Sequence, residues 1–380
     1  MKIKQKLSAI ALSATMILSS LSIAFADGSK VVTIGADLNA QQRQMMLDYF
    51  GVSENEAMII NVTNAEERKY LQGVATDAQL GRRTISCAYV EPTAGKDGIN
   101  VKTANLTWVT SSMIASTLTT AGLTSANVIA GAPYAVSGTG ALTGVIKAFE
   151  DASGEKLDET KKELANEELV TTGDLGDEIG QDKAAGVVND VKNEVIKEGT
   201  SDTTQIADII NNVTNNYNVT LTPEQIRALT SLMEKIGAQN YNYNDIKVTL
   251  ENVKFNINEN LAALGENVDT VGLFEKIKHW FSNLGGGSDA GILEQTDESA
   301  LGSDAVVNAT QDKVEEAANA ALDKAGELAS QAADKAGEAA NQAANQAADK
   351  AKEAYDKAEE QGLFDKIRAW FENVLRGFGN

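Results

Sequence analysis

From residue 31 to about residue 150 the apolar positions switch between two periods. Val31-Val32-Thr33-Ile34 is a β-branched run of strand character, and Asn39 then precedes a helical pattern of Met45, Met46, Tyr49 and Phe50 that Gly51 stops. A second unit repeats the scheme, with residues 57–62 as strand and Asn64 capping a helix through Leu71. Strands are expected at 83–90 and 99–109, separated by Pro92 and a glycine turn. A helix at 112–120, a strand at 127–132 and a helix at 140–149 complete the pattern, which predicts an α/β domain with a mixed sheet over 27–154.

Beyond that point the strand signals stop. Ala184, Val187, Val188, Val191 and Val195 share one helical face, as do Ile206, Ile209, Ile210 and Val213. Thr222-Pro223-Glu224-Gln225 is a helix start, with Thr as cap, Pro at the first position and Gln at the third. The stripe Ile226, Leu229, Leu232, Met233 and Ile236 runs from it to Gly237, and a longer stripe joins Ile246 to Leu264. An all-α domain or subdomain is therefore expected over 155–268.

The remaining chain differs in kind. Gly272-Leu273-Phe274-Glu275-Lys276-Ile277-Lys278-His279-Trp280-Phe281 returns 90 positions later as Gly362-Leu363-Phe364-Asp365-Lys366-Ile367-Arg368-Ala369-Trp370-Phe371. Two copies of one amphipathic aromatic helix are expected, at 269–284 and 362–380, with a flexible linker at 285–304 and an Ala-rich helical tail at 305–361 between them. In the tail, Asp323-Lys324-Ala325-Gly326-Glu327 recurs after 11 residues as Asp334-Lys335-Ala336-Gly337-Glu338, a spacing that keeps an apolar stripe nearly in line. The residues predicted to contact a surface or partner are Leu273, Phe274, Ile277, Trp280 and Phe281 in the first copy. In the second they are Leu363, Phe364, Ile367, Trp370, Phe371, Val374 and Leu375.

The first 26 residues add a destination. Lys2, Lys4 and Lys6 precede an uncharged, serine-diluted apolar run, and Ala24-Phe25-Ala26 is a cleavage signal ahead of Asp27. The mature chain is expected to begin at Asp27 and to be secreted, extracellular or associated with the cell envelope. No cysteine follows the cleavage point to carry a lipid. Losing the three lysines takes the formal charge from -21 to -24, which argues against nucleic acid as a partner because phosphate neutralisation needs clustered cations. A single cysteine, Cys87, excludes an internal disulfide.

Candidate chemistry is sparse. Cys87 lies mid-strand and reads as a small buried hydrophobe. His279, the one histidine, sits on the repeated helix whose second copy has Ala369 in its place, which disfavours a histidine-dependent triad or dyad. One His and one Cys do not make a usual zinc ligand set. The stretch from Gly138 to Gly144 follows a strand and opens a helix; it reads as a tight turn with close helix packing, with an anion site as the rival. Asp174, Asp177, Glu178 and Asp182 lack the spacing of a calcium loop and read as a solvated helix start and turn. No cofactor and no metal are expected.

Several ordered segments together resemble the YpuA-like secreted proteins of Gram-positive bacteria, the domain of unknown function 1002 family. They are the run from Val32 to Leu38, Ala78-Gln79-Leu80-Gly81, the run from Thr120 through Ala132-Pro133-Tyr134-Ala135-Val136-Ser137-Gly138-Thr139, Ala141-Leu142-Thr143-Gly144, and Glu168-Leu169-Val170-Thr171-Thr172 with Leu175-Gly176. The likeness covers about residues 31 to 265 and implies a secreted, envelope-associated protein; it brings no catalytic residues with it. The functional expectation is a non-enzymatic binding or structural protein that touches a membrane surface or a partner through its amphipathic helices. The alternatives are a hydrolase of cell-wall polymers and an acidic cation-binding or stress-protective protein.

Overall fold

The computed structural model describes residues 30–93, 98–264 and 291–310. Six strands form one mixed sheet in the order β2-β1-β3-β5-β4-β6. They are β1 (Val31–Gly35), β2 (Met58–Val62), β3 (Cys87–Pro92), β4 (Ile99–Leu106), β5 (Ala126–Val136) and β6 (Val307–Ala309). Helix α1 (Ala40–Phe50) connects β1 to its parallel neighbour β2, and α4 (Ser111–Ala121) connects the parallel pair β4 and β5. Antiparallel β3 lies between β1 and β5 and joins the two parallel pairs.

Alternation along the strands sorts the core onto two faces. Val32, Ile34, Tyr89 and Ile129 meet Met46, Leu47, Tyr49 and Phe50 of α1. Val31, Ala88, Val90, Val101 and Val128 meet α4 and α5 (Ala141–Ser153) on the other side. Local chemistry sets the helix ends. Asn39 and Gln42 form a reciprocal cap that starts α1, and left-handed Gly51 ends it. The next helix, α2 (Asn64–Leu71), is capped by Thr63 with Glu66, so the capping residue lies one position before the expected Asn64.

The helical body consists of α6 (Glu159–Ile179), α7 (Gln181–Glu198), α8 (Thr203–Asn216), α9 (Pro223–Gly237) and α10 (Tyr243–Ala263). Thr222 and Gln225 cap α9 as the sequence predicts. One hydrophobic cluster runs from Val31 in the sheet to Leu261 in α10, so the α/β part and the helical part share a core. Between them lies α4, all of whose residues are buried although six of its eleven are Ser or Thr.

A buried hydroxyl must find a partner, and α4 finds its partners in its neighbours. Lys192 of α7, with no exposed side-chain surface, pairs with Glu168 of α6 at 2.8 Å. The same ammonium donates to the Ser116 carbonyl at 2.7 Å, to Ser116 Oγ at 2.9 Å and to Thr120 Oγ1 at 3.0 Å. Thr120 donates in turn to Glu168, and Ser112 donates to Asn256 of α10 at 3.0 Å. Burial pulls the Lys192 pKa down, and the Glu168 charge opposes that pull.

Residues 291–310 depart from the expected linker and helix. Two short 3₁₀ turns, Gly291–Glu294 and Glu298–Leu301, precede β6, which adds to the edge of β4. Ile292 and Leu293 are buried on the α1 face of the sheet. Lys102 pairs with Glu298 at 2.9 Å, and the Ile292 N–H donates to the Glu91 carboxylate at 3.0 Å. Thr310 exchanges hydrogen bonds with the Val101 backbone. The Ala-rich repeats beyond residue 310 lie outside the described residues.

Replacing Lys192 alone by Met should lower stability by about 3–5 kcal/mol, because Glu168 would be left buried without its cation. Combining Lys192→Met with Glu168→Gln should recover much of the loss. Urea unfolding of the two variants beside the parent checks both outcomes.

Candidate functional site

The parallel strands β1, β2 and β5 end on the same side of the sheet, at Gly35, Val62 and Val136. In open α/β sheets the space outside such carboxyl ends is where ligands gather. Here β2 leads into α2 and β5 leads through Ser137–Gly140 into α5, while α3 (Asp77–Leu80) and residues 81–86 approach from the side. They enclose a recess of about 130 Å³ lined by Glu67, Gln79, Gly81, Arg83, Ser86 and the turn from Ser137 to Gly140.

Glu67 is the buried ionisable group of the recess, 3% exposed. Asn64 donates to its Oε2 at 3.2 Å, and Gly140 lies against its carboxyl so closely that any side chain there would collide with it. Burial pushes the Glu67 pKa up to about 7, and the Asp37 charge adds to the rise. The Thr84 hydroxyl, the Asn64 amide and Arg68 pull against it. Arg68 itself is turned away, donating to Asp77 at 2.9 Å and to the Gly81 carbonyl at 2.7 Å, which ties α2 to α3. Arg83 donates to the Asp37 carbonyl at 3.0 Å and has no carboxylate partner among the described residues.

The turn over the recess shows why its glycines are needed. Gly138 has a φ of +90°, with Leu106 packed beneath it, and a Cβ on Gly144 would come within 2.9 Å of Thr33 Oγ1. Thr139 donates to the Gln79 carbonyl at 3.0 Å and closes the turn onto α3. This is the tight turn with close helix packing expected from the sequence. Helix α5 starts without a side-chain cap, and the carboxyl of Glu67 rests against its first turn.

Two of the motifs that carry the family resemblance, Ala78 to Gly81 and Val136 to Thr139, thus line one recess. The model of a family described as proteins of unknown function, DUF1002, matches residues 34–253. The chain belongs to the DUF1002 family. It is 38% identical over 258 residues to the uncharacterized protein YpuA of Bacillus subtilis strain 168, an alignment covering 68% of this chain and 87% of that protein. No solved structure matches it significantly.

A third motif of this DUF1002 chain is structural. Glu168 holds Lys192, Thr172 donates back to the Glu168 carbonyl at 2.7 Å, and Gly173 leaves room for the Trp108 indole. The indole N–H donates to Asp177 at 2.9 Å. Asp174 accepts from Gln79, Glu178 from Gln225 and Asp182 from Asn260; Asp174, Asp177 and Glu178 are exposed, as expected of a solvated group, and each of the four acids also accepts a hydrogen bond from another element. Only Asp182 lies at a helix start; the other three lie in the last turns of α6. Among the described residues no group of three or more His, Cys, Asp or Glu is placed to hold a metal.

Cys87 is buried and its thiol pKa is pushed up to about 12, mainly by burial, which keeps it an unreactive thiol. His279 and the predicted contact residues from Leu273 to Phe281 and from Leu363 to Leu375 lie outside the described residues. Sequence reasoning missed Glu67. In Asn64-Ala65-Glu66-Glu67-Arg68-Lys69 the polar run reads as a solvated helix, and nothing local marks the second Glu as the inward one.

Glu67 should make stability fall with pH. The folded protein holds this proton to about pH 7 while the unfolded carboxyl releases it near 4.5, so stability present below the lower value is lost as pH rises to the upper one. The loss is about 3 kcal/mol. Glu67→Gln should remove it, stabilising the protein at pH 8 relative to pH 5. Urea unfolding of both proteins at the two pH values measures the difference.

Proposed function

We propose that this chain is an exported binding protein of the cell envelope, whose folded body carries two amphipathic contact helices. The observation that carries the reading is the attachment of residues 291–310 to the sheet. Copy one of the aromatic sequence falls between two fixed points, the end of α10 at Leu264 and the turn at Gly291. Copy two lies beyond Thr310, outside the described residues. Fixed points close on both sides favour docking of the first copy on the protein itself; the second, separated from Thr310 by residues 311–361, has chain enough to reach an external surface.

Burying one large apolar side chain is worth about 1.5–3 kcal/mol, so a face bearing Leu363, Phe364, Ile367, Trp370 and Phe371 gains much by leaving water. Lys366, Arg368 and Arg376 give the same segment local positive charge in an acidic chain, which suits an anionic membrane surface. Among the described residues no helix is long and apolar enough to cross a membrane. The recess supports binding over wall hydrolysis, because a single carboxyl lines it where glycoside hydrolysis ordinarily uses a pair. Asp37 is held outside by the Thr84 N–H at 2.7 Å.

Replacing Trp370 and Phe371 by Ser in the full chain should release it from anionic phospholipid vesicles while leaving thermal unfolding nearly unchanged. Co-sedimentation and a melting curve test this together. Unchanged sedimentation with a strongly lowered melting temperature would place the segment in the core and overturn the anchor reading.

A further inference from the structure

We propose that the recess beside Glu67 binds the carboxylate end of a small ligand, with Arg83 as the charged anchor and the Glu67 carboxyl as a hydrogen-bond donor. This proposal does not rest on the surface contact proposed above.

The charges around the recess point to this class of ligand. Several cations of the body are already paired with carboxylates: Arg43 with Glu54, Arg68 with Asp77, Lys102 with Glu298, and Lys192 with Glu168. Arg83 lines the recess and spends one N–H on a backbone carbonyl, in a chain of formal charge -21. A guanidinium has five donors in a planar fork that matches the two oxygens of a carboxylate. Glu67 faces the same space and makes no ion pair with Arg83 or with any other cation among the described residues.

The neighbours of Glu67 explain why it can donate. Glu66 beside it is occupied by Lys147 of α5 at 2.6 Å, and Arg68 is occupied by Asp77 of α3. Asp174 of α6 is bound by Gln79, and Asp37 on the loop after β1 contributes a like charge. With no cation held against it, a carboxyl buried this deeply keeps its proton to near neutrality, and a neutral carboxyl can donate to a ligand oxygen. Ionised Glu67 would repel a carboxylate, so affinity should rise as pH falls through about 7.

Size narrows the ligand further. A recess of about 130 Å³ admits a carboxylate and a methyl-sized neighbour, whereas whole metabolites of drug size need roughly 300 Å³ or more. The ligand is then either a small free acid or the carboxyl terminus of a peptide whose remainder lies outside.

Calorimetric titration of the full chain distinguishes these outcomes. The probes are N-acetyl-alanyl-alanine, its C-terminal amide, propionate and inorganic phosphate, at about pH 5.5 and about pH 8.5. Saturable binding of the acid at the lower pH, weakened roughly tenfold at the higher, is expected, with no binding of the amide. Arg83→Gln should weaken binding roughly tenfold at both values. Glu67→Gln, which keeps a donor, should bind at the lower pH and lose the pH dependence. Propionate binding as tightly as the peptide identifies a free acid as the source, and peptide binding alone identifies chain ends. The proposal is overturned if neither carboxylate binds at the lower pH, if the amide or phosphate binds as well as the acid, or if Arg83→Gln binds like the parent with a native unfolding curve.

Discussion

A lysine ammonium cut off from water is the interaction on which the rest of the architecture depends. Helix α4 has the sheet on one side and α6, α7 and α10 on the other, yet its sequence is rich in hydroxyls and not in large apolar groups. Such a helix is stable in a core only if each neighbour brings the matching polar atom. Lys192 and Glu168 do this from two helices at once, and Tyr241 closes the end of α4 by donating to the Thr120 carbonyl at 2.8 Å. A wrong register of α6 or α7 would strand two charges as well as several hydroxyls. The network therefore selects one packing of the helical body on the sheet.

Glu168 and Glu67 show two solutions to one problem. Both are almost wholly buried, and both are met by hydrogen-bond donors. Glu168 has an ammonium beside it and is enclosed on all sides, so it is a structural group. Glu67 has no cation against it and opens onto a recess, which leaves its proton as the adjustable quantity. Burial alone separates neither from the other; the partner and the adjoining space do.

What could be read from the chain was what local chemistry decides. The β-branched run of β1, the Asn39 and Thr222 caps and the stop at Gly51 are each determined within a few residues, and each lies where the pattern puts it. The Glu67 recess was not legible because four separate segments build it and no one of them carries its signature. Residues 291–310 were hidden for a different reason. Ile292-Leu293 is too short an apolar run to give a period, and a three-residue strand is stabilised by the β4 edge it meets and not by its own sequence. Lys192 illustrates the same limit, since its neighbours Asp190 and Asn193 make its stretch of α7 read as a solvated face.

The direction of β6 relates the two ends of the molecule. Val307 pairs with Ala104 and Ala309 with Lys102, so β6 runs antiparallel to β4 and leaves the sheet toward the amino end of the parallel strands. Thr310, hydrogen-bonded to Val101, marks the point of departure. The Glu67 recess lies at the opposite, carboxyl end of those strands, beside β1, β2 and β5. The described chain therefore stops, at Thr310, at the end of the sheet opposite the turn that carries Gly138, Thr139 and Gly140, because β6 pairs with β4 in the antiparallel sense and not in the parallel one.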